Sequence, residues 1–106
     1  MKILLVGHVC VDKNVVRGQT ETLYGGGVVH GAITAQRLDA QAIVITKCAA
    51  TDRAGYAHLG AAGVEVVFLP SPTSTSIRNV YPSENPDDRQ SALISRATPF
   101  AEADLD

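Results

Sequence analysis

At 106 residues the chain has room for one domain, and 45% hydrophobic with 19% charged residues is a globular balance that can fill a modest core. Its net charge of −2, without any cluster of lysine and arginine, excludes the basic footprint of a nucleic-acid binder or of a protein held on an anionic membrane. Cys10 and Cys48 each lie among apolar neighbours and read as reduced and buried, and the apolar stretch at residues 3–6 is too short for a signal or a membrane span, which points to a cytoplasmic protein.

Residues 2–6, KILLV, form a continuous run of β-branched residues and leucine, which predicts a strand buried on both faces. Residues 9–11 extend it past Gly7. Residues 14–16 and 20–23 flank Arg17-Gly18-Gln19 as the two arms of a hairpin. Residues 28–38 carry apolar side chains at 28, 32, 35 and 38, a helical spacing, and many are small enough for close packing on a sheet. Gly31 inside that helix costs roughly 1 kcal/mol relative to alanine, so a packing or ligand reason is expected for it. Residues 42–46 form a second buried strand, and strand, helix and strand together make a parallel βαβ unit. Thr51 or Asp52 is placed to N-cap a second helix that ends before Gly63. Residues 64–69, 76–81 and 91–96 read as three further strands, with 82–89 a polar hairpin loop. No helix separates these last strands, so antiparallel pairing is expected. The resulting fold class is α/β: a partial parallel sheet with flanking helices and a small antiparallel sheet.

The glycine run Gly25-Gly26-Gly27 stands between an extended segment and the first helix. Such a run lets backbone approach a ligand closely and presents the unpaired N–H groups of a helix start. Asp12, just past the first strand, is a pure acceptor for hydroxyl groups when ionised. Together they suggest a site for a small polyhydroxylated molecule. Without a ligand, the glycines read as a tight turn and Asp12 as a solvated loop carboxylate. His30, one turn into the helix, is either a substrate contact or an ordinary helical histidine. His8, Cys10, Cys48 and His58 lack the paired spacing of a zinc site, and no metal is expected. Asp52 reads as a cap, Arg89 and Arg96 as solvated edge charges, and Tyr24, Phe68 and Tyr81 as packing. A dinucleotide fold is disfavoured because Gly7 stands alone after the first strand, where a glycine-rich fingerprint would be needed.

Three segments in register resemble the N-terminal part of the ribokinase-like, or PfkB-type, carbohydrate kinases: 6–12 (VGHVCVD), 25–38 (GGGVVHGA leading to Arg37-Leu38), and 46–55 (TKCAATDRAG) with 61–65. The likeness covers nearly the whole chain, including residues 73–75 and Arg89-Gln90. It implies that Asp12 binds substrate hydroxyls, that Gly25, Gly26 and Gly27 contact substrate at the helix start, and that His30 stands where the family often has asparagine. Val28-Val29 is similar to branches of the family that act on inositol-like or other substrates, and the resemblance as a whole implies phosphorylation of a hydroxyl of a sugar, nucleoside or cyclitol. The small sheet is then a lid and a possible homodimer interface. ATP and Mg²⁺ are implied for a full-length enzyme. The family's catalytic base and nucleotide site lie in a C-terminal motif that these residues do not contain, so residues 1–106 are expected to be the substrate-binding and lid portion, without catalytic residues of their own. The alternative is a non-catalytic ligand-binding or dimerisation module of the same fold.

Overall fold

The computed structural model describes residues 1–82 and 85–105. Ser83 and Glu84, inside the loop expected at 82–89, lie outside the described residues. The strands that are described form two sheets.

The first sheet is parallel, in the order β1 (Lys2–Val6), β4 (Gln41–Cys48), β5 (Glu65–Pro70). Registers run from Lys2↔Gln41 to Val6↔Ile45 and from Ile43↔Glu65 to Cys48↔Pro70. Helix α1 (Gly27–Arg37) lays Val29, Ala32 and Ala35 on one face of this sheet, against Ala42 and Val44. These side chains are small because the helix lies close. A Cβ added at Gly31 would stand 2.8 Å from Leu5 Cδ2, which is the packing reason for that glycine. Tyr56, Leu59 and Val64 complete the core.

Three expectations need correction in this region. Residues 2–6 are not buried on both faces: α1 packs against the face carrying Ile3 and Leu5, while Leu4 is 56% and Val6 41% exposed. Residues 9–11 do not extend β1. The Gly7 N–H donates to the Ile45 carbonyl at 3.2 Å, the chain then turns, and the Val9 N–H donates to the buried Thr46 Oγ1 at 3.0 Å, which launches β2 (Cys10–Val16) into the second sheet. The second helix has no Thr51 or Asp52 cap. Ala49 is the residue before a 3₁₀ segment, Ala50–Tyr56, that runs into the short α2 (Ala57–Ala61). Asp52 lies inside the first turn, its N–H bonded to Ala49 O at 2.9 Å, and its carboxylate accepts from Ser74 Oγ. Gly63, with φ +89°, ends this segment as expected.

The second sheet has the order β3 (Gln19–Gly25), β2, β6 (Thr75–Tyr81), β7 (Gln90–Ser95). The hairpin between β2 and β3 closes through Arg17 (φ 51°) and Gly18 (φ 77°), the left-handed pair that suits a two-residue turn. The expected all-antiparallel arrangement does not hold. β5 belongs to the parallel sheet, because the 3₁₀ segment and α2 act as its crossover. β6 runs parallel to β2, from Cys10↔Thr75 to Val16↔Tyr81; β2–β3 and β6–β7 are antiparallel. The reason is directional. β2 leaves the carboxyl end of β1 and β6 leaves the carboxyl end of β5, so both depart the same edge of the first sheet and travel the same way. The lid is therefore a mixed sheet.

Past β7 the chain folds back to that carboxyl edge. Lys47 is buried there and donates to Pro99 O at 3.0 Å and to Asp104 Oδ2 at 2.8 Å, beneath the Phe100 ring. His8 stacks on the same ring and its Nε2 lies 2.9 Å from Thr98 O. Among the described residues no helix is long and apolar enough to cross a membrane.

Candidate functional site

Asp12 is the third residue of β2, not the end of β1. Alternation along the strand puts Cys10, Asp12 and Asn14 on one face of the lid. The Cys10 thiol donates to Asp12 Oδ1 at 3.1 Å. Burial, then the hydrogen bond and charge of Asp12, push that thiol up to about 12, so it stays a protonated donor at neutral pH. Asp12 is half-buried and keeps its second oxygen toward the glycine run: a Cβ at Gly25 would lie 3.6 Å from Oδ2.

The three glycines do different things. Gly25 ends β3 opposite Cys10. Gly26, with φ +115°, precedes α1, and a Cβ there would meet Cys10 N and His8 O at 3.1 Å and Val9 Cα at 3.2 Å. Its glycine is demanded by the β1–β2 connection passing over it. Gly27 opens α1, is exposed, and would carry a Cβ into open space. The structure thus brings Asp12, Gly25 and Gly26 together. His30 is exposed on α1, and its ring joins none of the hydrogen bonds among the described residues.

The cross-strand register adds residues to which the sequence reading gave no role. Asn14 faces Asn79, and Asn79 faces Ser91. Ser91 Oγ donates to Asn79 Oδ1 at 2.7 Å, and Asn79 Nδ2 donates to Asn14 Oδ1 at 3.0 Å. Asp12, Asn14, Asn79 and Ser91 therefore make a polar row over three strands of one face. Such a row offers both donors and acceptors at spacings of about 5 Å between strands and about 7 Å along one.

No group of three or more His, Cys, Asp or Glu side chains able to hold a metal stands together among the described residues. His8 is committed to the tail, and His58 lies beside Tyr56.

No protein-family model and no curated protein matches the chain. Solved structures do. A pyrophosphate-dependent kinase of the ribokinase family, solved as a sulfate complex, is 52% identical with a TM-score of 0.86, over 99% of this chain and 37% of that one. A pyrophosphate-dependent kinase of that family, complexed with a pyrophosphate analog and myo-inositol, is 50% identical with a TM-score of 0.84, over 99% and 35%. A pyrophosphate-dependent myo-inositol-1 kinase, converted into a myo-inositol-3 kinase by changing one Asn and one Ser to Leu, is 46% identical with a TM-score of 0.81, over 99% and 34%. The class defined by these sheets is the ribokinase-like α/β fold. Within it, the chain matches the N-terminal portion of a PfkB-type kinase, and it spans about a third of the length of these relatives.

Proposed function

We propose that residues 1–106 are the substrate-recognising and lid portion of a phosphotransferase that acts on a hydroxyl of a cyclitol, with pyrophosphate as the phosphoryl donor. The observation that carries this reading is the polar row Asp12, Asn14, Asn79 and Ser91 on one lid face, beside the glycine run, in a chain so similar to kinases described with myo-inositol and pyrophosphate. Asp12 accepts from a substrate hydroxyl, and the Cys10 thiol holds the carboxylate in place for it. ATP with Mg²⁺, the donor that the sequence implied, is less well supported than pyrophosphate, because the relatives at 46–52% identity are pyrophosphate-dependent.

The test is phosphoryl transfer by the intact protein that carries this chain, with myo-inositol and either pyrophosphate or ATP. Transfer from pyrophosphate, with KM for the cyclitol raised about tenfold or more in Asp12→Asn, is the expected result. Transfer to sugars or nucleosides but to no cyclitol would sink the substrate assignment.

A second reading is favoured by the apolar side chains of the lid. Leu23 on β3 and Leu93 on β7 are exposed, and both strands are sheet edges over the described residues. Such edges pair readily with another chain. A lid-to-lid homodimer should appear in sedimentation as a species of twice the monomer mass that is lost in Leu23→Glu.

A further inference from the structure

We infer that Arg96 binds a phosphoryl group, in a cleft at the root of the lid that adjoins the hydroxyl-binding face. The inference rests on the cyclitol reading above and deepens it. The cleft, of about 370 Å³, lies where the lid meets the returning tail and is lined by His8, Thr75, Leu93, Arg96, Ala97 and Pro99. The register places it on the Asp12 face of the lid: Cys10 stands opposite Thr75, Asp12 opposite Ile77, and Ile77 opposite Leu93. Thr75 is one strand across from Asp12 and two residues back, which sets their Cα atoms roughly 8 Å apart. One ring with its substituents can therefore touch both Asp12 and the cleft.

The sequence reads Arg96 as a solvated edge charge, and the fold gives it more definition than that. Its side chain is exposed, and its guanidinium joins no hydrogen bond or ion pair among the described residues. Its backbone is pinned. Thr73 Oγ1 donates to Arg96 O at 2.6 Å, Ser95 Oγ donates to Ser74 O at 2.6 Å, and the Ala97 N–H donates to Thr75 Oγ1 at 3.1 Å. That last bond uses Thr75 as an acceptor, so its own O–H remains to donate into the cleft. His8 is held by Thr98 and Phe100 and serves as a wall. The cleft thus offers a cation with five N–H donors and no acceptor, with a hydroxyl donor beside it. A guanidinium is planar and grips two phosphoryl oxygens at once. The Asp12 carboxylate is the converse, a group that only accepts. A neutral cyclitol has hydroxyls for Asp12 and nothing anionic for Arg96, whereas its phosphate ester has both. The face is polarised for a ligand with hydroxyls at one end and an oxyanion at the other.

The experiment is calorimetric titration of the intact protein that carries this chain, with myo-inositol, a myo-inositol monophosphate and inorganic pyrophosphate. Arg96→Leu is expected to raise Kd for the monophosphate about tenfold or more and to leave Kd for myo-inositol unchanged. Arg96→Lys should recover part of the loss, as a charge without the fork. Arg78→Leu removes the same charge from the opposite face of the lid and should leave all three constants at the parent values. Arg96→Gln replaces Arg96→Leu if thermal unfolding shows that the leucine variant does not fold. A loss confined to pyrophosphate supports the subsite and assigns it to the phosphoryl group of the donor. Unchanged affinity for both anions in the Arg96 variants, an equal loss in Arg78→Leu, or a parent that binds neither anion overturns the inference; myo-inositol binding by the parent then leaves the cyclitol reading standing. A parent that binds pyrophosphate through Arg96, but neither myo-inositol nor its monophosphate, overturns the cyclitol reading and supports the subsite.

Discussion

The lid departs from the carboxyl edge of the parallel sheet, and the two sheets are held together by different forces. The parallel sheet is an apolar layer: α1 is pressed on it through Val29, Ala32 and Ala35, and its strands read as Val, Ile, Leu and Ala. The lid is stitched by side-chain hydrogen bonds, Lys13 to Thr22, Asn79 to Asn14, Ser91 to Asn79 and Ser76 to the Val11 carbonyl. Each such bond adds only about 1 kcal/mol net, so the lid gains definition from them more than strength. An apolar layer thus carries a lid whose shape is defined by polar pairings between its strands.

The sharpest way to break this division is at the seam. Gly26→Ala forces a side chain into left-handed backbone and against three backbone atoms of residues 8–10, and should destabilise the fold by roughly 3 kcal/mol or more, read as a lowered urea midpoint. A midpoint within experimental scatter of the parent would show that the seam yields. Next in size is Tyr56, whose ring packs edge-on to Tyr24 at 5.4 Å while its hydroxyl is buried without a hydrogen-bond partner among the described residues. Tyr56→Phe should raise stability by about 1 kcal/mol, since the ring stays and the orphan hydroxyl goes. A loss of stability instead would reveal a partner for that hydroxyl in solution. Gly27→Ala should stabilise α1 by about 0.5–1 kcal/mol, because its Cβ meets open space. If substrate closes on this position, KM in the intact protein rises as stability rises, which a purely structural glycine would not produce.

The smallest effect concerns the returning tail. The hydrogen bond from Lys47, then that from the Ala101 N–H, holds Asp104 below its ordinary value of 3.8. A carboxylate lowered on folding contributes stability above its unfolded pKa and loses it as pH falls through the folded one. The tail should stay docked at neutral pH and loosen only below about pH 4. NMR shifts of the His8 and Phe100 rings followed from pH 7 to 3 check this, and Asp104→Asn should loosen the tail at every pH. Rings whose shifts stay constant down to pH 3 would show that Asp104 does not hold the tail.

Much of the parallel layer was legible in the sequence because its signals are local. The period of α1 and the apolar runs of β1 and β4 lie within windows of a dozen residues. Gly18 and Gly63 sit in positive-φ positions where a turn and a helix end were read. The errors fall where the partner is distant. Nothing in residues 65–70 says that they join β4 and not β6, and nothing in residues 2–6 says that one face lacks a cover. The site divided the same way. Asp12 and the glycines were legible as residue types next to a strand and a helix. Asn14, Asn79 and Ser91 were not, since only the register of three strands makes neighbours of them. Lys47 was passed over because a lysine inside an apolar strand gives no hint of the carboxylate 57 positions later that covers it.

The parallel pairing of β2 with β6 also has a consequence in time. Contacts such as Ser76 to Val11 join residues 65 positions apart, whereas the β2–β3 hairpin closes locally. As the chain emerges from the ribosome, that hairpin can form early and must then wait, with one edge of β2 unpaired, until residue 81 has been made. Through that interval the bare edge is open to any extended segment nearby. The nascent chain is therefore most prone to mispairing before its sixth strand arrives, and a chaperone that binds extended backbone would be of greatest use there.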